Sequence, residues 1–452
     1  MAAERENFGS RLAVIAAFAG SAIGLGNIWR FPYMAGEGGG AAFVVVFTLS
    51  LLVIALPMFL AESIIGRRSG SNCLGAMKKL APTKGWKIFG LMSVFIPMFI
   101  LSYYSVVGGW SVDFLAKAFT GQFSGDPDTV KGLFGGFVGG TWTPIIAFTV
   151  FLALSFVIPI FGVTAGIERF NKISIPVLFF VIVAIMIYSL TLPGAMEGVK
   201  YFVRPDFSQL TFRTVARAVG QSFYALSLGC GIIITYSSYI SKKENLLVSG
   251  VGTAASGILF SVLAGLAIIP AVFAAGISPG AGPGLVFETV PFVFAKMGAG
   301  MPWVSTAVAI LFFLTIVVAA LTSSISMAEV GISFLVEEKH IKRGKAAAIW
   351  FAICWIVGGF IVLSFGPLSH VRIFGLQVFS FVDMTVSNFL MMICGILGVI
   401  FVGWIMKRDD VKSEFLSDGS CPGNRPWFRV FYFLVRYIAP IAILFIFICN
   451  FL

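Results

Sequence analysis

A chain of 452 residues that is 58% hydrophobic, 15% aromatic and only 11% charged is not an ordinary soluble domain, where charged residues make up about 25%. Its net charge of +11 sits in loops between apolar runs, which ties the excess to membrane topology and anionic lipid and gives no reason to invoke nucleic acid.

Eleven uncharged runs, near or above the roughly 20 residues a bilayer needs, follow one another along the chain. In order they are Leu12–Trp29, Ala41–Ala61, Ile88–Val112, Thr143–Ile167, Ile173–Met196, Ala218–Ser241, Leu246–Phe287, Met297–Ala328, Ala346–Ser369, Met384–Met406 and Tyr437–Leu452. The run Leu246–Phe287 could hold two spans, but Pro270, Gly276, Pro279, Gly280, Gly282, Pro283 and Gly284 crowd its second half, so it reads as one helix and a loop. The prediction is an all-α integral membrane protein of eleven transmembrane helices, residues 1–452 forming one domain.

Lys and Arg mark the cytoplasmic side of a span. Arg67, Arg68, Lys78, Lys79, Lys84 and Lys87 follow the second run, Lys242 and Lys243 the sixth, Lys339, Lys342, Arg343 and Lys345 the eighth, and Lys407, Arg408, Lys412 and Arg425 the tenth. All fall on one side if the N-terminus is cytoplasmic, and eleven spans then put the C-terminus outside. Glu4, Arg5 and Glu6 precede the first run with no cleavage pattern after it, so no removable signal peptide is read.

Six scattered cysteines include no CxxC pair and suggest neither a disulfide framework nor a zinc site. His340 and His370 lie in loops on opposite faces, and there is no phosphate loop, HExxH or GxSxG, so the chain is not read as an enzyme.

The first run contains Gly20-Ser21-Ala22-Ile23-Gly24-Leu25-Gly26-Asn27-Ile28-Trp29-Arg30-Phe31-Pro32, a poor continuous helix. Each glycine costs roughly 1 kcal/mol against alanine, and an intramembrane Arg costs more. A break at the midplane, whose freed carbonyls and helix ends bind ligands, accounts for both; a glycine stripe for close helix packing is the plainer alternative. The sixth run repeats the anomaly in Ala225-Leu226-Ser227-Leu228-Gly229-Cys230-Gly231 after Gln221. Two interrupted spans five helices apart point to an inverted-repeat transporter with its site between the halves. The repeats are placed at 10–193 and 211–406, five helices each, with helices 1 and 6 unwound and an extra C-terminal helix at 427–452.

The runs GSAIGLGNIWRFP, SLGCGIIITYSSY and LTSSIS, with Tyr103-Tyr104 and Trp110 on the third helix, resemble the neurotransmitter:sodium symporter family in its bacterial amino-acid branch, typified by the leucine transporter. The resemblance spans the first ten helices and implies a multi-pass protein of a bacterial inner (plasma) membrane that binds an amino acid, sodium and the lipid bilayer, with no obligate protein partner. It implies one sodium site from the carbonyls of Gly20, Ile23 and Ala319 with the hydroxyls of Thr322 and Ser323, although such hydroxyls often bond only to their own helix. A second sodium site would use Ala22, Asn27 and residue 225, but the hydroxyl expected at 225 and the amide or carboxylate expected at 257 are replaced by Ala225 and Gly257. That site is therefore expected to be weakened or lost, leaving one or two sodium ions per substrate. Gln221 and Ser261 match the family's chloride site, whereas Phe47 and Ala225 lack its hydroxyls, which makes chloride dependence doubtful.

By the same resemblance the substrate would meet Ala22, Gly24, Leu25, Gly26, Ile100, Tyr104, Val107, Tyr224, Ser227, Cys230, Ser323 and Met327. Gly24 stands where amine-transporting relatives carry an aspartate, so the ligand must bring its own carboxylate. Ile100, Tyr104 and Val107 are spaced i, i+4, i+7 and share one helix face. Arg30 and Asp383, with Tyr224 as a lid, would close the outer mouth; Arg5 with Glu337, supported by Phe8, Ser238 and Tyr239, would close the inner one. Glu62 reads as an acceptor supporting the unwound sixth helix. Gly166 and Pro176 match the spacing of an unwinding motif in the fifth. The implied function is sodium-coupled uptake of a neutral, hydrophobic or aromatic amino acid by alternating access. Alternatives are a proton-coupled carrier, an amino-acid exchanger, or a non-transporting sensor on the same fold.

Overall fold

Glycines, prolines and short polar stretches divide the apolar chain into helices. The computed structural model describes residues 6–124, 126–276, 286–297 and 302–449. Helix α1 (Arg11–Ala22) opens at Ser10, whose hydroxyl accepts the Ala13 N–H at 3.2 Å, an N-cap that satisfies one of the four orphan donors of the first turn. It stops at Ile23, where φ −86° and ψ 77° leave helical space. The chain resumes as α2 (Gly26–Glu37) in a wide π-type turn, bent 63° from α1.

Four long helices follow: α3 (Ala41–Ser69), α4 (Lys84–Phe119), α5 (Trp142–Ile160) and α6 (Val163–Leu190). A second break separates α7 (Phe212–Ala225) from α8 (Ile232–Ser237). The chain continues through α9 (Leu246–Ala274), α10 (Pro302–Lys339), α11 (Arg343–Leu363), α12 (Val378–Ile405) and α13 (Pro422–Cys449). The second break needs left-handed backbone at Ser227 (φ 53°), Gly229 and Gly231 (both φ 70°). A Cβ on Gly231 would also come within 2.9 Å of Cys73 Sγ, so glycine is required there on two counts.

Among the described residues nine helices are long and apolar enough to cross a membrane, ten when the bent pair α1 and α2 is taken as one span. The sequence reading of eleven exceeds this because α7 and α8 are each too short to qualify.

Other boundaries also move. The fourth helix ends at Ile160 rather than Ile167, because Gly162 at φ 92° turns the chain and Val163 starts α6. Glu168, which ended the uncharged run, lies inside α6, where it accepts the Gly9 N–H at 3.0 Å and pairs with Lys172 at 2.6 Å. The last span begins at Pro422 rather than at residue 427 or Tyr437, since the helix runs on through Arg425, Arg429 and Arg436. Among the described residues a short hairpin interrupts the helices, Arg372–Ile373 pairing antiparallel with Leu376–Gln377, and Gly40 bridges Pro205.

Residues of the basic loops meet one another at one end of the helices. Arg67 at the end of α3 bonds Glu414 at 3.0 Å, with both side chains 1% exposed, and Lys242 after α8 reaches the same carboxylate. Glu337, near the end of α10, accepts the Asn72 N–H at 2.8 Å. Across the interior the two breaks are laced together, with Ser227 Oγ donating to Ser21 O at 2.9 Å and Gln221 Nε2 to Gly26 O at 2.8 Å.

Candidate functional site

Where α1 ends, its last carbonyls have no helical partner and turn to α10. Thr322 Oγ1 lies 2.8 Å from Ala319 O and 3.3 Å from Ile23 O, and Ser323 Oγ lies 3.5 Å from Gly20 O and 2.9 Å from Ser21 O. All five oxygens expected of the first cation site thus gather in one buried place. A set of carbonyls and hydroxyls without a carboxylate suits a hard monovalent cation. Among the described residues there is no group of three or more His, Cys, Asp or Glu able to hold a metal.

Beside this cluster, Asn27 Nδ2 donates to Ala22 O at 3.1 Å, while Asn27 Oδ1 is buried with no partner, an acceptor available to a cation or water. A Cβ at Gly257 would have Ala225 O and Asn27 Nδ2 as neighbours at 3.9 Å. The residues expected around a second ion do come together, and the ground before Gly257 is open. Gln221 Oε1 and Ser261 Oγ are also buried without partners, whereas Phe47 packs on Phe31 at 4.9 Å between ring centroids and offers no hydroxyl.

Between the breaks, α4, α10 and α12 enclose a cavity of about 30 Å³. Its wall holds Ala22, Gly24, Gly26, Ile100, Tyr104, Tyr224, Ser227, Cys230, Ser323 and Met327, all expected from the sequence, and Ser21, Ile232 and Met391, which were not. Ser21 and Ile232 adjoin expected residues within or beside the breaks; Met391 has no local motif to mark it. Leu25 takes part only through its N–H, which donates to Tyr104 Oη at 3.1 Å, and Val107 is buried off the wall. Among the described residues no charged side chain lines the cavity. A Cβ on Gly24 would sit 2.8 Å from Tyr104 Oη and 3.1 Å from Ser323 Cβ, so a side chain here requires Tyr104 or Ser323 to shift. Glu62 Oε1 accepts the Gly229 N–H at 2.8 Å, bracing the α7–α8 break.

Tyr224 and Met391 divide this cavity from a wider one of about 530 Å³, whose wall includes Arg30, Glu37, Arg217 and Ser387. Arg30 and Asp383, the residues expected to close the outer mouth, make no direct ion pair in this structure. The guanidinium lies 5.0 Å from the centroid of the Tyr224 ring in a cation–π contact, and Asp383 Oδ1 accepts Ser387 Oγ–H at 3.0 Å.

On the basic face the chain start is latched. Phe8 N donates to Tyr239 O at 3.1 Å, and the Phe8 ring meets Tyr236 edge-on at 6.0 Å. Tyr239 Oη donates to Glu329 Oε1 at 2.7 Å, Arg343 grips the same carboxylate, and Ser238 Oγ donates to Thr235 O. Glu329, Arg343 and Asn72 belong to this latch and were missed, having no motif of their own. Arg5 lies outside the described residues; Glu337 accepts from Asn72 N–H and Nδ2. Glu6 accepts the N–H groups of Val163 at 2.5 Å and Thr164 at 3.3 Å, tying the latch to the head of α6 in the turn that holds Gly166, with Pro176 farther along that helix.

The sequence pattern of the Sodium:neurotransmitter symporter family matches residues 5–126 and 139–452. The chain is 37% identical to the "Uncharacterized sodium-dependent transporter" of Haemophilus influenzae, over 99% of this chain and 98% of that protein. To the Drosophila melanogaster sodium-dependent serotonin transporter it is 26% identical, over 99% of this chain and 76% of that protein. Among solved structures, the crystal structure of MhsT in complex with L-phenylalanine is similar with a TM-score of 0.90 and 40% identity, covering 99% of this chain and 100% of that one.

Proposed function

The chain belongs to the sodium:neurotransmitter symporter family of sodium-dependent transporters, and from that premise we propose that it couples sodium entry to uptake of a neutral, hydrophobic or aromatic amino acid by alternating access. It is a membrane carrier and not an enzyme. The observation that carries the proposal is the five-oxygen cluster of Gly20, Ile23, Ala319, Thr322 and Ser323 opening beside a cavity with no charged wall. A zwitterion suits such a cavity: its carboxylate would meet the Leu25 and Gly26 N–H groups, Tyr104 Oη and the neighbouring ion, and its ammonium the carbonyls of Ala22, Tyr224 and Ser227. Ile100, Cys230, Met327 and Met391 would take an apolar side chain, the methionines adapting by rotamer. The phenylalanine bound by MhsT supports that choice.

In this reading α7 and α8 are two halves of one span, which gives eleven, and helices one to five and six to ten form inverted repeats around the site. The basic face is cytoplasmic. A 530 Å³ cavity above Tyr224 and a latched Phe8 below support an outward-oriented state. One sodium ion moving down a potential of about 100 mV contributes about 2.3 kcal/mol before its concentration gradient is counted. With Ala225 and Gly257 in place of two side-chain ligands, coupling is one sodium per substrate and chloride is not needed.

Uptake into proteoliposomes across the neutral amino acids, with sodium, proton and chloride gradients varied independently, tests this. Sodium-dependent accumulation of hydrophobic amino acids is expected; accumulation driven by a proton gradient alone, or binding without flux, would overturn it.

A further inference from the structure

Helix α13 carries cations that its own fold does not neutralise. Arg425, Arg429, Tyr432 and Arg436 are spaced i, i+4, i+7, i+11 and share one face. Arg425 and Arg429 are exposed, and the carboxylates that precede them in the chain are bonded elsewhere, Asp418 accepting from Ser413 Oγ, Glu414 held by Arg67 and Lys242, and Asp410 by Arg68 at 2.6 Å. Among the described residues Arg408, Arg425, Arg429 and Arg436 make no ion pair.

Arg436 is the deepest of them. Its guanidinium carbon lies 4.4 Å from the Trp404 ring centroid, 5.7 Å from that of Tyr437 and 5.9 Å from that of Tyr432, while Nε is buried and bonded to nothing. The cage is built, since Trp404 Nε1 donates to Arg436 O at 3.0 Å and Tyr432 Oη to Gly403 O at 3.2 Å. Gly403 lets the backbones close: a Cβ there would stand 3.1 Å from Arg436 Cα. Arg408 comes over the other edge, 5.4 Å from the Tyr432 centroid. Trp404 and Tyr437 remain half exposed on the outer surface of the bundle, where tryptophan and tyrosine mark the membrane interface.

Aromatic faces hold a guanidinium in place but accept none of its five N–H donors, and an unpaired cation at membrane depth is costly. At the membrane interface an anionic lipid headgroup can supply the missing acceptor. We propose that Arg436, caged by Trp404, Tyr432 and Tyr437 and flanked by Arg408 and Arg429, is a binding site for the phosphodiester headgroup of an anionic phospholipid, in the leaflet on the basic face. A guanidinium donates bidentately to phosphate, and anionic lipid concentrates in the leaflet that the basic loops face. The site is independent of the ion cluster and the central cavity.

The test uses the full-length protein in detergent, titrated with phosphatidylglycerol, with phosphatidylcholine, or with inorganic phosphate, bound lipid being counted by native mass spectrometry and stability followed by thermal melting. Phosphatidylglycerol alone is expected to bind at low ratio and raise the melting temperature. Losing the charge-assisted hydrogen bonds, about 1.5–3 kcal/mol, should weaken that binding about tenfold or more in Arg436→Gln. Arg429→Gln, on the exposed part of the stripe, should weaken it less and serves should the first variant not fold. Equal retention of phosphatidylcholine, stabilisation by inorganic phosphate to the same degree, or undiminished phosphatidylglycerol binding in both variants would each overturn the proposal.

Discussion

Returning two side-chain ligands to the second ion site should change the stoichiometry of transport. The double variant Ala225→Ser, Gly257→Asn is the perturbation. A carbon added at residue 257 meets nothing closer than 3.9 Å, ordinary van der Waals contact, and serine at the fully buried residue 225 adds a single oxygen. Both would join Ala22 O, Ala225 O and the partnerless Asn27 Oδ1. An oxygen offered to a charged group contributes about 1.5–3 kcal/mol, so two should tighten a second sodium ion by roughly two to four orders of magnitude. A second coupled ion adds about 2.3 kcal/mol per 100 mV, which raises the limiting accumulation about fortyfold. Initial uptake rates against sodium concentration give the ion number, and accumulation under an imposed potassium diffusion potential gives the coupling. The unaltered chain should show a Hill coefficient of one and the double variant a coefficient of two. A coefficient of two in the unaltered chain, or of one in a double variant that still transports, refutes the reasoning.

Thr322→Val keeps the volume but removes the hydroxyl shared between Ile23 O and Ala319 O, so the sodium concentration for half-maximal uptake should rise roughly tenfold or more, as sodium titration of uptake would show. Gly24→Asp places a side chain against Tyr104 Oη and Ser323; overpacking of about 1–3 kcal/mol should abolish amino-acid binding without creating amine transport, read by equilibrium binding of both ligand classes. Pro176→Ala restores a backbone donor within α6 and should slow sodium release toward the basic face, measured as isotope efflux from preloaded protein, with unchanged helix content. Glu414→Ala strands the buried Arg67 guanidinium and should cost about 3–5 kcal/mol, seen as a lower melting temperature, while Glu414→Gln should recover part of it.

Much of the site was legible because its parts are local. Gly20 to Asn27 and Ser227 to Gly231 break helical rules that a continuous span would have kept, and Thr322 and Ser323 are consecutive hydroxyls in apolar surroundings. Ten residues of the cavity wall could be named in advance from the family resemblance. Met391 could not, because an apolar residue in an apolar helix carries no mark of which way it faces. Glu168 misled the boundary reading because one charge ends an uncharged run but not a helix, provided that Gly9 and Lys172 are there to bond it.

The sequence by itself determined that this is a membrane protein and where its chain is interrupted, since hydropathy and glycine content are properties of single residues and their spacing. Only the tertiary structure decided which groups meet. It set Arg30 on the Tyr224 ring rather than on Asp383, closed Glu329 with Arg343 and Tyr239, and left Arg436 among aromatic rings with no acid at all. A charge's partner is chosen by the packing of distant helices within a few ångströms, and no spacing along the chain encodes that choice.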